Sequence, residues 1–356
     1  MQSIEFTIIG SRKTFGGSTP PSSTLRYCRN TQKKYSMSII RKPSELVVKP
    51  ALAILIYGQP GIGKTTLACS APDPVLFDCD GGVQRINGGH QVPTLQVEKW
   101  EDINQALTEI EAGKEFKTIV IDTCSKLLAY MEANIKANDK KQVYSNRDGS
   151  LSLKGYGARK QMFNDFINRV RLTGRSLVFV AHEQEQKRGE ETVLRPEVGG
   201  SSVNDLIKEL DLVGYMEASG DGQAMVRTIS FNPSNRFYAK NTANLPAVIS
   251  LPITVGDDGN PKGNNDFLTK VIAEFFRRRQ EDHNKVSDFE DLMNVIDGKI
   301  EGVTDAESAN EVMFDLIQMK HIYNSKELAS QRLSNKAKEL GLVYNKTRQA
   351  YEQPKA

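Results

Sequence analysis

The chain has 356 residues, enough for one large domain and a smaller one. Its net charge of +3, from 47 basic and 44 acidic residues, does not by itself indicate a nucleic-acid-binding protein, so any such surface must come from local clustering. Four widely spaced cysteines and the lack of an 18-residue apolar run argue against a metal site or a membrane span and favour a reducing, cytoplasmic compartment.

The first 36 residues are rich in Ser, Thr, Arg, Lys and Gly and carry Pro20-Pro21 near their centre. This composition is typical of a disordered segment, and no apolar stretch following a basic start indicates a secretory signal. A second methionine, Met37, opens a segment that resembles a natural start. We therefore expect residues 1–36 to be disordered and dispensable, an expectation that loss of activity on deleting them would refute.

Residues 58–65 match the phosphate-binding loop pattern G-x-x-x-x-G-K-[ST] at every fixed position. An apolar strand precedes the loop and a helix follows it, so backbone N–H groups and the helix dipole would face a polyphosphate. Lys64 would stabilise charge on the β- and γ-phosphates and Thr65 would bind Mg2+. The sequence therefore predicts ATP and Mg2+ as cofactors, without distinguishing ATP from GTP. The predicted nucleotide-binding residues are Gly58, Gln59, Pro60, Gly61, Ile62, Gly63, Lys64, Thr65 and Thr66.

Three further apolar runs read as buried strands that end in polar residues. Residues 74–80 end in Asp78 and Asp80, residues 117–122 end in Asp122, and residues 176–181 are followed by His182. Uninterrupted apolar strands that alternate with amphipathic segments predict an α/β fold, with a mostly parallel sheet covered by helices on both faces. The carboxyl ends of such strands share one edge, where ligands bind. Asp122 has the Walker B arrangement, in which an acidic residue lies beside the metal.

This order of motifs resembles the RecA-like ATPase core, most closely the phage and prophage RecA-like ATPases linked to single-strand annealing and recombination. The likeness covers about residues 50–280 and implies a bacterial or phage-infected cell. It implies that Asp80, where the recombinases usually carry Glu, activates the attacking water. It also implies that His182, where they carry Gln, senses the γ-phosphate. Two plainer alternatives are that Asp78 or Asp80 caps a turn and that His182 is hydrogen-bonded into the core.

Positive charge is concentrated between residues 134 and 175, where residues 138–152 have no periodicity and read as a mobile loop. A second basic loop is predicted at residues 184–204. By resemblance the two correspond to DNA-facing loops, and cations with an aromatic ring suit single-stranded DNA. The alternative is that these charges only solvate the surface, and five glutamates between residues 183 and 197 offset the positive charge of the second loop. The candidate DNA-binding residues are Lys140, Lys141, Tyr144, Arg147, Lys154, Lys187 and Arg188.

Residues 225–251 read as antiparallel strands broken by a turn at 232–235. Related ATPases carry a Lys and an Arg near this position that reach a neighbouring subunit's nucleotide. This chain has Lys240 but Thr242 where an Arg is expected, with Arg236 as a substitute. Nucleotide sites shared in this way suggest a homo-oligomer, either a filament or a ring.

Residues 267–279 predict an amphipathic helix, followed by a polar linker at 280–286 and a small helical domain at 287–356. Residues 304–307 resemble a capping box. The predicted RecA-like ATPase domain covers residues 37–280. The helical domain has the character of a module that docks DNA or a protein partner, and the sequence does not choose between them.

Two main hypotheses follow for the function. In the first, the protein is an ATP-hydrolysing RecA-like enzyme of DNA recombination, single-strand annealing or repair that binds single-stranded DNA. In the second, it is a nucleotide-dependent loader that binds ATP and acts through protein contacts. A helicase motor is a weaker third. Single-stranded DNA should stimulate hydrolysis under the first hypothesis and not under the second.

Overall fold

The computed structural model describes residues 41–46, 51–189, 191–199, 207–220, 225–256 and 258–354, without the side chain of Arg188. The segment expected to be disordered, residues 1–36, lies outside the described residues, as does the end of the second predicted loop.

In the described part of the chain, ten strands form one sheet in the order β10-β8-β7-β1-β5-β4-β2-β3, with β6 pairing to β5 and β9 to β7. Neighbouring strands from β7 to β3 in that order are parallel, whereas β6, β8, β9 and β10 pair antiparallel. The strands are β1 (Ala53–Gly58), β2 (Pro74–Asp78), β3 (Thr94–Gln96), β4 (Thr118–Asp122), β5 (Ser176–Arg188), β6 (Glu191–Pro196), β7 (Leu212–Ser219), β8 (Val226–Ser230), β9 (Lys240–Asn241) and β10 (Val248–Ser250).

Helices cover both faces of this sheet. On one face pack α2 (Trp100–Ala112), α3 (Cys124–Ala137) and α4 (Leu153–Leu172), and on the other pack α1 (Lys64–Ala68) and the first turns of α5 (Phe267–Glu301). Because successive side chains of a strand point to opposite faces, Leu55 and Tyr57 of β1 join the first layer while Ile54 and Ile56 join the second. This two-sided burial explains the uninterrupted apolar runs, and the predicted α/β fold is confirmed.

The predicted linker at residues 280–286 is wrong, since α5 runs without a break from Phe267 to Glu301. Residues 280–286 contain neither Gly nor Pro, so nothing in them ends a helix. Ion pairs one turn apart also support it, including Arg277 with Glu274 and Lys285 with Asp282. One end of α5 packs on the sheet and the other end lies in a separate cluster.

That separate cluster is the core of a C-terminal helical unit. The far end of α5 packs there with α6 (Ala306–Gln318), α7 (Ser325–Glu339) and a hairpin of β11 (Val343–Asn345) and β12 (Ala350–Glu352). Asp305 caps α6 by accepting a hydrogen bond from the Ser308 N–H at 2.8 Å. The capping box therefore lies one residue later than the sequence pattern predicted. No helix in the described ranges is long and apolar enough to cross a membrane.

Candidate nucleotide-binding site

The loop between β1 and α1 has the backbone that its glycines allow. Gly63 has φ of 93°, in the left-handed region where a side chain is strained. A Cβ atom on Gly58 would lie 2.1 Å from the carbonyl oxygen of Met216 on β7, closer than any real contact. Both positions require glycine, which is why the pattern is so restrictive here.

Lys64 lies inside this loop rather than in solvent. Its side chain is buried, and Nζ donates hydrogen bonds to the carbonyl oxygens of Gly58 at 3.0 Å and Gln59 at 2.6 Å. Burial lowers the pKa of Lys64, while the charges of Asp122 and Glu183 act to raise it. The loop's own carbonyls therefore hold a desolvated cation at its mouth, where a phosphate oxygen could replace them.

Thr65 of α1 and Asp122 of β4 meet at the carboxyl edge, although β5 lies between β1 and β4. Thr65 Oγ1 donates a hydrogen bond to Asp122 Oδ2 at 2.6 Å. Burial is the main cause that raises the pKa of Asp122, and the Thr65 hydrogen bond opposes it. A hydroxyl with a nearby carboxylate fits Mg2+, which keeps most of its ligands as water and phosphate oxygens. In the described ranges no group of three or more His, Cys, Asp and Glu side chains could hold a metal.

The two acidic residues after β2 have different environments. Asp78 is buried and its carboxylate accepts hydrogen bonds from the N–H groups of Gly82 at 2.9 Å and Val83 at 3.0 Å. Asp80 is partly exposed, lies 3.8 Å from Arg85, and its charge helps raise the pKa of Asp122. The turn-capping alternative therefore describes Asp78, while Asp80 makes no such cap and its charge acts on Asp122.

His182 lies in β5 directly beside Gly58 of β1. Its Nδ1 atom is buried and has no hydrogen-bond partner among the described residues, so Nδ1 does not serve as a structural tie into the core. The neighbouring Glu183 accepts a hydrogen bond from the Tyr215 hydroxyl at 3.1 Å. An unpaired imidazole nitrogen next to a phosphate-binding loop is what a ligand-contacting residue would present.

The two residues considered for a neighbouring subunit's nucleotide differ in availability. Lys240 Nζ donates hydrogen bonds to the carbonyls of Ile207 at 3.1 Å and Lys208 at 3.2 Å, and also to Leu210. Its ammonium is thus occupied within its own chain. Arg236 has a largely exposed side chain, 3.9 Å from Glu217. Unlike Lys240, it could therefore contact a nucleotide bound to a neighbouring subunit.

The sequence reading missed Arg227, which lies in β8. Its Nη1 atom is 3.5 Å from the carbonyl oxygen of Ile62 and only 2.9 Å from the position that a Cβ atom on Gly63 would take. The two residues are 165 positions apart along the chain. Its only sequence signal was one basic residue within a short β-strand, which does not indicate what lies next to that strand.

Residues 138–152, predicted to be mobile, form a hydrogen-bonded turn. The carboxylate of Asp139 accepts hydrogen bonds at 2.8 Å from the N–H groups of Val143, Tyr144 and Ser145. The side chains of Lys140, Lys141, Tyr144, Arg147 and Lys154 are exposed, and none of the four cations forms an ion pair with another described residue. These charges are therefore available to a ligand.

Other basic residues of the same block are used inside the chain. Lys136 and Arg159 both pair with Glu132, at 2.7 and 3.1 Å. Arg169 pairs with Glu111 and Arg171 with Glu209, while Arg175 donates to the carbonyls of Phe116, Ile110 and Gly113. The structure thus separates structural cations from free ones, which the sequence alone could not do.

The second predicted loop begins as an extension of β5. Residues Glu183–Arg188 pair antiparallel with β6, so a hairpin replaces the predicted irregular segment. Lys187 is exposed on it, whereas the Arg188 side chain and residues 200–206 lie outside the described residues. Because β5 passes His182 before entering the hairpin, one continuous strand joins the phosphate-binding edge to this second basic segment.

Both basic segments lie on the side of the phosphate-binding loop. Helix α4 ends at Leu172, just before β5 starts at the amino edge, and its 20 residues span about 30 Å. A parallel strand of five or six residues spans only about 20 Å. The amino end of α4, with the 138–152 turn attached, therefore projects past the carboxyl edge.

One family of known proteins matches the part of the chain that carries this site. The model of the AAA_24 family, described as an AAA domain, matches residues 51–243, more than half of the chain. The chain belongs to this AAA domain family. The matched range includes the phosphate-binding loop, Asp80, Asp122 and His182, and it ends before α5.

Among solved structures, flagellar accessory protein FlaH from Methanocaldococcus jannaschii is similar to this chain. The identity is 11%, the match covers 56% of this chain and 84% of that chain, and the TM-score is 0.32. No curated protein sequence matches the chain. The assignment to the AAA family therefore rests on the family model and on the site itself.

Proposed function

We propose that this AAA domain protein hydrolyses ATP and couples hydrolysis to single-stranded DNA in recombination, single-strand annealing or repair. The observation that carries the nucleotide part is the pairing of a buried Lys64 ammonium inside the loop with a Thr65–Asp122 hydrogen bond at its edge. Burying a cation and a carboxylate together is costly unless a ligand uses them.

In the proposed reaction, each residue at the carboxyl edge of the sheet has a separate role. Lys64 and the loop N–H groups bind the phosphates and offset the charge that builds during transfer. Asp80 orients the attacking water and accepts its proton, and the unpaired Nδ1 of His182 contacts the γ-phosphate. A bound Mg2+, held by Thr65 with Asp122 behind it, would supply further charge neutralisation.

The DNA part is supported by the exposed cations of the 138–152 turn and by Tyr144 among them. Cations that are not used within the chain can track phosphates, and an exposed ring can stack on bases. The β5–β6 hairpin supports coupling, because it continues the strand that carries His182. We further propose that subunits assemble in a filament or ring, with Arg236 as the cation available to a neighbour's nucleotide.

One observation favours the alternative of a loader that works through protein contacts. In the C-terminal helical unit, Phe314 and Ile317 of α6 are 63% and 60% exposed, and Tyr344 of β11 is 43% exposed. Ile317 and Tyr344 also line one cavity of this unit, and neighbouring exposed apolar side chains are typical of a docking surface. Under this alternative the AAA domain binds ATP, and DNA has no effect on turnover.

The deciding experiment measures ATP hydrolysis and nucleotide binding with and without single-stranded DNA across a salt series. We expect DNA to stimulate hydrolysis, with stimulation falling as salt rises. Lys64→Ala should abolish nucleotide binding, whereas Asp80→Asn should keep binding and lower turnover about 10²- to 10⁴-fold. Equal loss of binding in both variants would show that Asp80 is structural, and DNA-independent hydrolysis would favour the loader.

A matched pair of variants tests the DNA surface. Lys140→Ala with Lys141→Ala removes two exposed charges from the turn. Lys114→Ala with Lys320→Ala removes two exposed charges elsewhere, one near the amino edge of the sheet and one in the C-terminal helical unit. The first pair should weaken DNA binding and reduce its salt dependence by about 0.7 per lost phosphate contact. The second pair should leave both unchanged. Equal effects of the two pairs would point to bulk charge rather than a site.

A further inference from the structure

Arg227 has a guanidinium that the fold brings to the phosphate-binding loop and then leaves almost without partners. Its contact with the Ile62 carbonyl, at 3.5 Å, is at the limit of a hydrogen bond. The described residues offer it no other hydrogen bond or ion pair, although a guanidinium carries five donors. Its side chain is half-buried, and a guanidinium with spare donors beside an anion-binding loop can donate hydrogen bonds to a phosphate oxygen.

The surroundings of Arg227 would strengthen any such contact. The guanidinium borders a small cavity next to Gly63 and Thr66 whose other walls include Leu67, Met216 and Phe267. These side chains are mostly apolar, so the local dielectric is low and a charge-assisted hydrogen bond gains strength there.

Strand order shows from which side Arg227 approaches. Asp80, Asp122 and His182 follow or lie on β2, β4 and β5, on one side of β1, whereas Arg227 lies on β8, on the other side. The end of the site where Asp122 would lie beside the metal and Asp80 would orient the water is therefore on the opposite side of β1 from Arg227. A polyphosphate that runs along the loop from that end presents its nucleoside end to Arg227 and Thr66.

We propose that Arg227 binds the nucleotide at the α-phosphate, from within the same chain. This inference rests on the proposed nucleotide-binding function and adds a contact that belongs to neither the loop motif nor a neighbouring subunit. A contact at the α-phosphate is present in substrate and product alike. It therefore strengthens binding of ADP and ATP equally and leaves the chemical step unchanged.

The experiment compares wild type, Arg227→Ala, Arg227→Gln and Arg227→Lys, with Arg348→Ala as a control for an exposed arginine in the C-terminal unit. Affinities for ADP and a slowly hydrolysed ATP analogue are measured by calorimetry, and kcat and KM are measured separately. Loss of one charge-assisted hydrogen bond should weaken both ligands about tenfold to a hundredfold in the Ala and Gln variants. The Lys variant should retain part of the affinity.

The outcomes separate this contact from the function on which it depends. Unchanged affinities in Arg227→Ala and Arg227→Gln, with normal wild-type binding, would overturn the α-phosphate contact and leave the proposed function intact. Loss confined to the ATP analogue, or a fall in kcat at constant KM, would place Arg227 at the γ-phosphate and also overturn it. A wild-type protein that binds neither ligand would overturn both. Circular dichroism of each variant checks folding, and a misfolded Ala variant leaves the Gln and Lys variants to decide.

Discussion

At the scale of single residues, the site is a set of buried charges that the apoprotein tolerates at a cost. Lys64 is only 5% exposed and Asp122 only 6%, in a neighbourhood that also holds Asp78 and Asp80. Burial lowers the pKa of Lys64 and raises the pKa of Asp122, so it disfavours the charged form of both side chains. These buried charges lower the stability of the nucleotide-free protein, and they lie where a triphosphate and a metal would bind.

Asp122→Asn should stabilise the nucleotide-free protein. Because burial raises the pKa of Asp122 above its usual 3.8, ionising it costs more in the folded chain than in the unfolded chain. The gain should be absent well below pH 3.8, should grow as the pH rises from 3.8 towards the raised pKa of the folded protein, and should stay constant above it. Urea unfolding of wild type and variant between pH 4 and 8 measures it.

The asparagine keeps an oxygen that can accept the Thr65 hydrogen bond, so the substitution isolates the charge. Glu109→Gln, an exposed residue on α2, serves as the control and should show no such pH-dependent gain. A less stable Asp122→Asn protein at pH 7 would contradict the expectation, because it would mean that the charged hydrogen bond outweighs desolvation.

At the scale of elements, α4 and the turn before it lock together through a glycine. A Cβ atom on Gly155 would lie 2.2 Å from the backbone carbonyl of Tyr144, while one on Gly157, two residues later, would meet nothing within 4 Å. Gly155 also donates its N–H to the Ser152 hydroxyl that caps the helix, at 3.2 Å. The cations of the turn are therefore positioned by close backbone packing against α4.

Gly155→Ala and Gly157→Ala should have opposite effects on stability. Alanine at 157 should stabilise the helix by about 0.5–1 kcal/mol, since it restricts the unfolded chain without a clash. Alanine at 155 must displace the turn, and overpacking of this kind costs about 1–3 kcal/mol. Chemical denaturation of both proteins measures the difference.

The same pair also tests the proposed DNA surface. Gly155→Ala should weaken single-stranded DNA binding because the turn carrying Lys140 and Lys141 moves, and Gly157→Ala should not. If both alanines changed stability in the same direction, the close approach to Tyr144 would not be what holds the turn.

At the scale of the whole molecule, α5 is the element that joins two separately buried cores. Leu268, Ile272 and Phe275 pack under the sheet, and Ile296 and Ile300 pack in the C-terminal unit. Between these contacts the helix is mainly polar and held by ion pairs along its surface. Its continuity, rather than a shared core, links the two parts.

His283→Pro should uncouple the two parts. Proline in a helix interior costs about 3 kcal/mol or more and breaks the helix at that point, yet each end keeps its own hydrophobic cluster. We expect unfolding of the variant to split into two transitions, with only the larger one raised by added nucleotide. Differential scanning calorimetry with and without ADP shows this.

His283→Ala is the matched control, because it changes the same partly buried side chain without breaking the helix. It should unfold as wild type does, within about 0.5 kcal/mol. A single transition in the proline variant, shifted as a whole by nucleotide, would show that the two cores are coupled by more than α5.

Local patterns in the sequence were enough to predict the sheet and which residues lie at its carboxyl edge. Apolar runs long enough to be buried on both faces predicted β1, β2, β4 and the first half of β5, and the glycine spacing predicted the loop. Asp122 was predicted for the same reason, since an acid that ends a buried strand must lie at the carboxyl edge. The predicted hairpin over residues 225–251 is likewise present as β8 and β10. All of these are properties of short stretches.

Only the tertiary structure decided which polar residues are free and which distant ones are neighbours. The strand order puts Arg227 beside the loop, and the carbonyls of residues 207–210 bind the Lys240 ammonium. Glutamates pair with four basic residues between 134 and 175, namely Lys136, Arg159, Arg169 and Arg171. The continuous α5 shows the same limit, since polar residues are compatible with either a linker or an exposed helix. Pairing across the fold depends on which surfaces meet, and that is determined by the packing of the whole chain rather than by any segment of it.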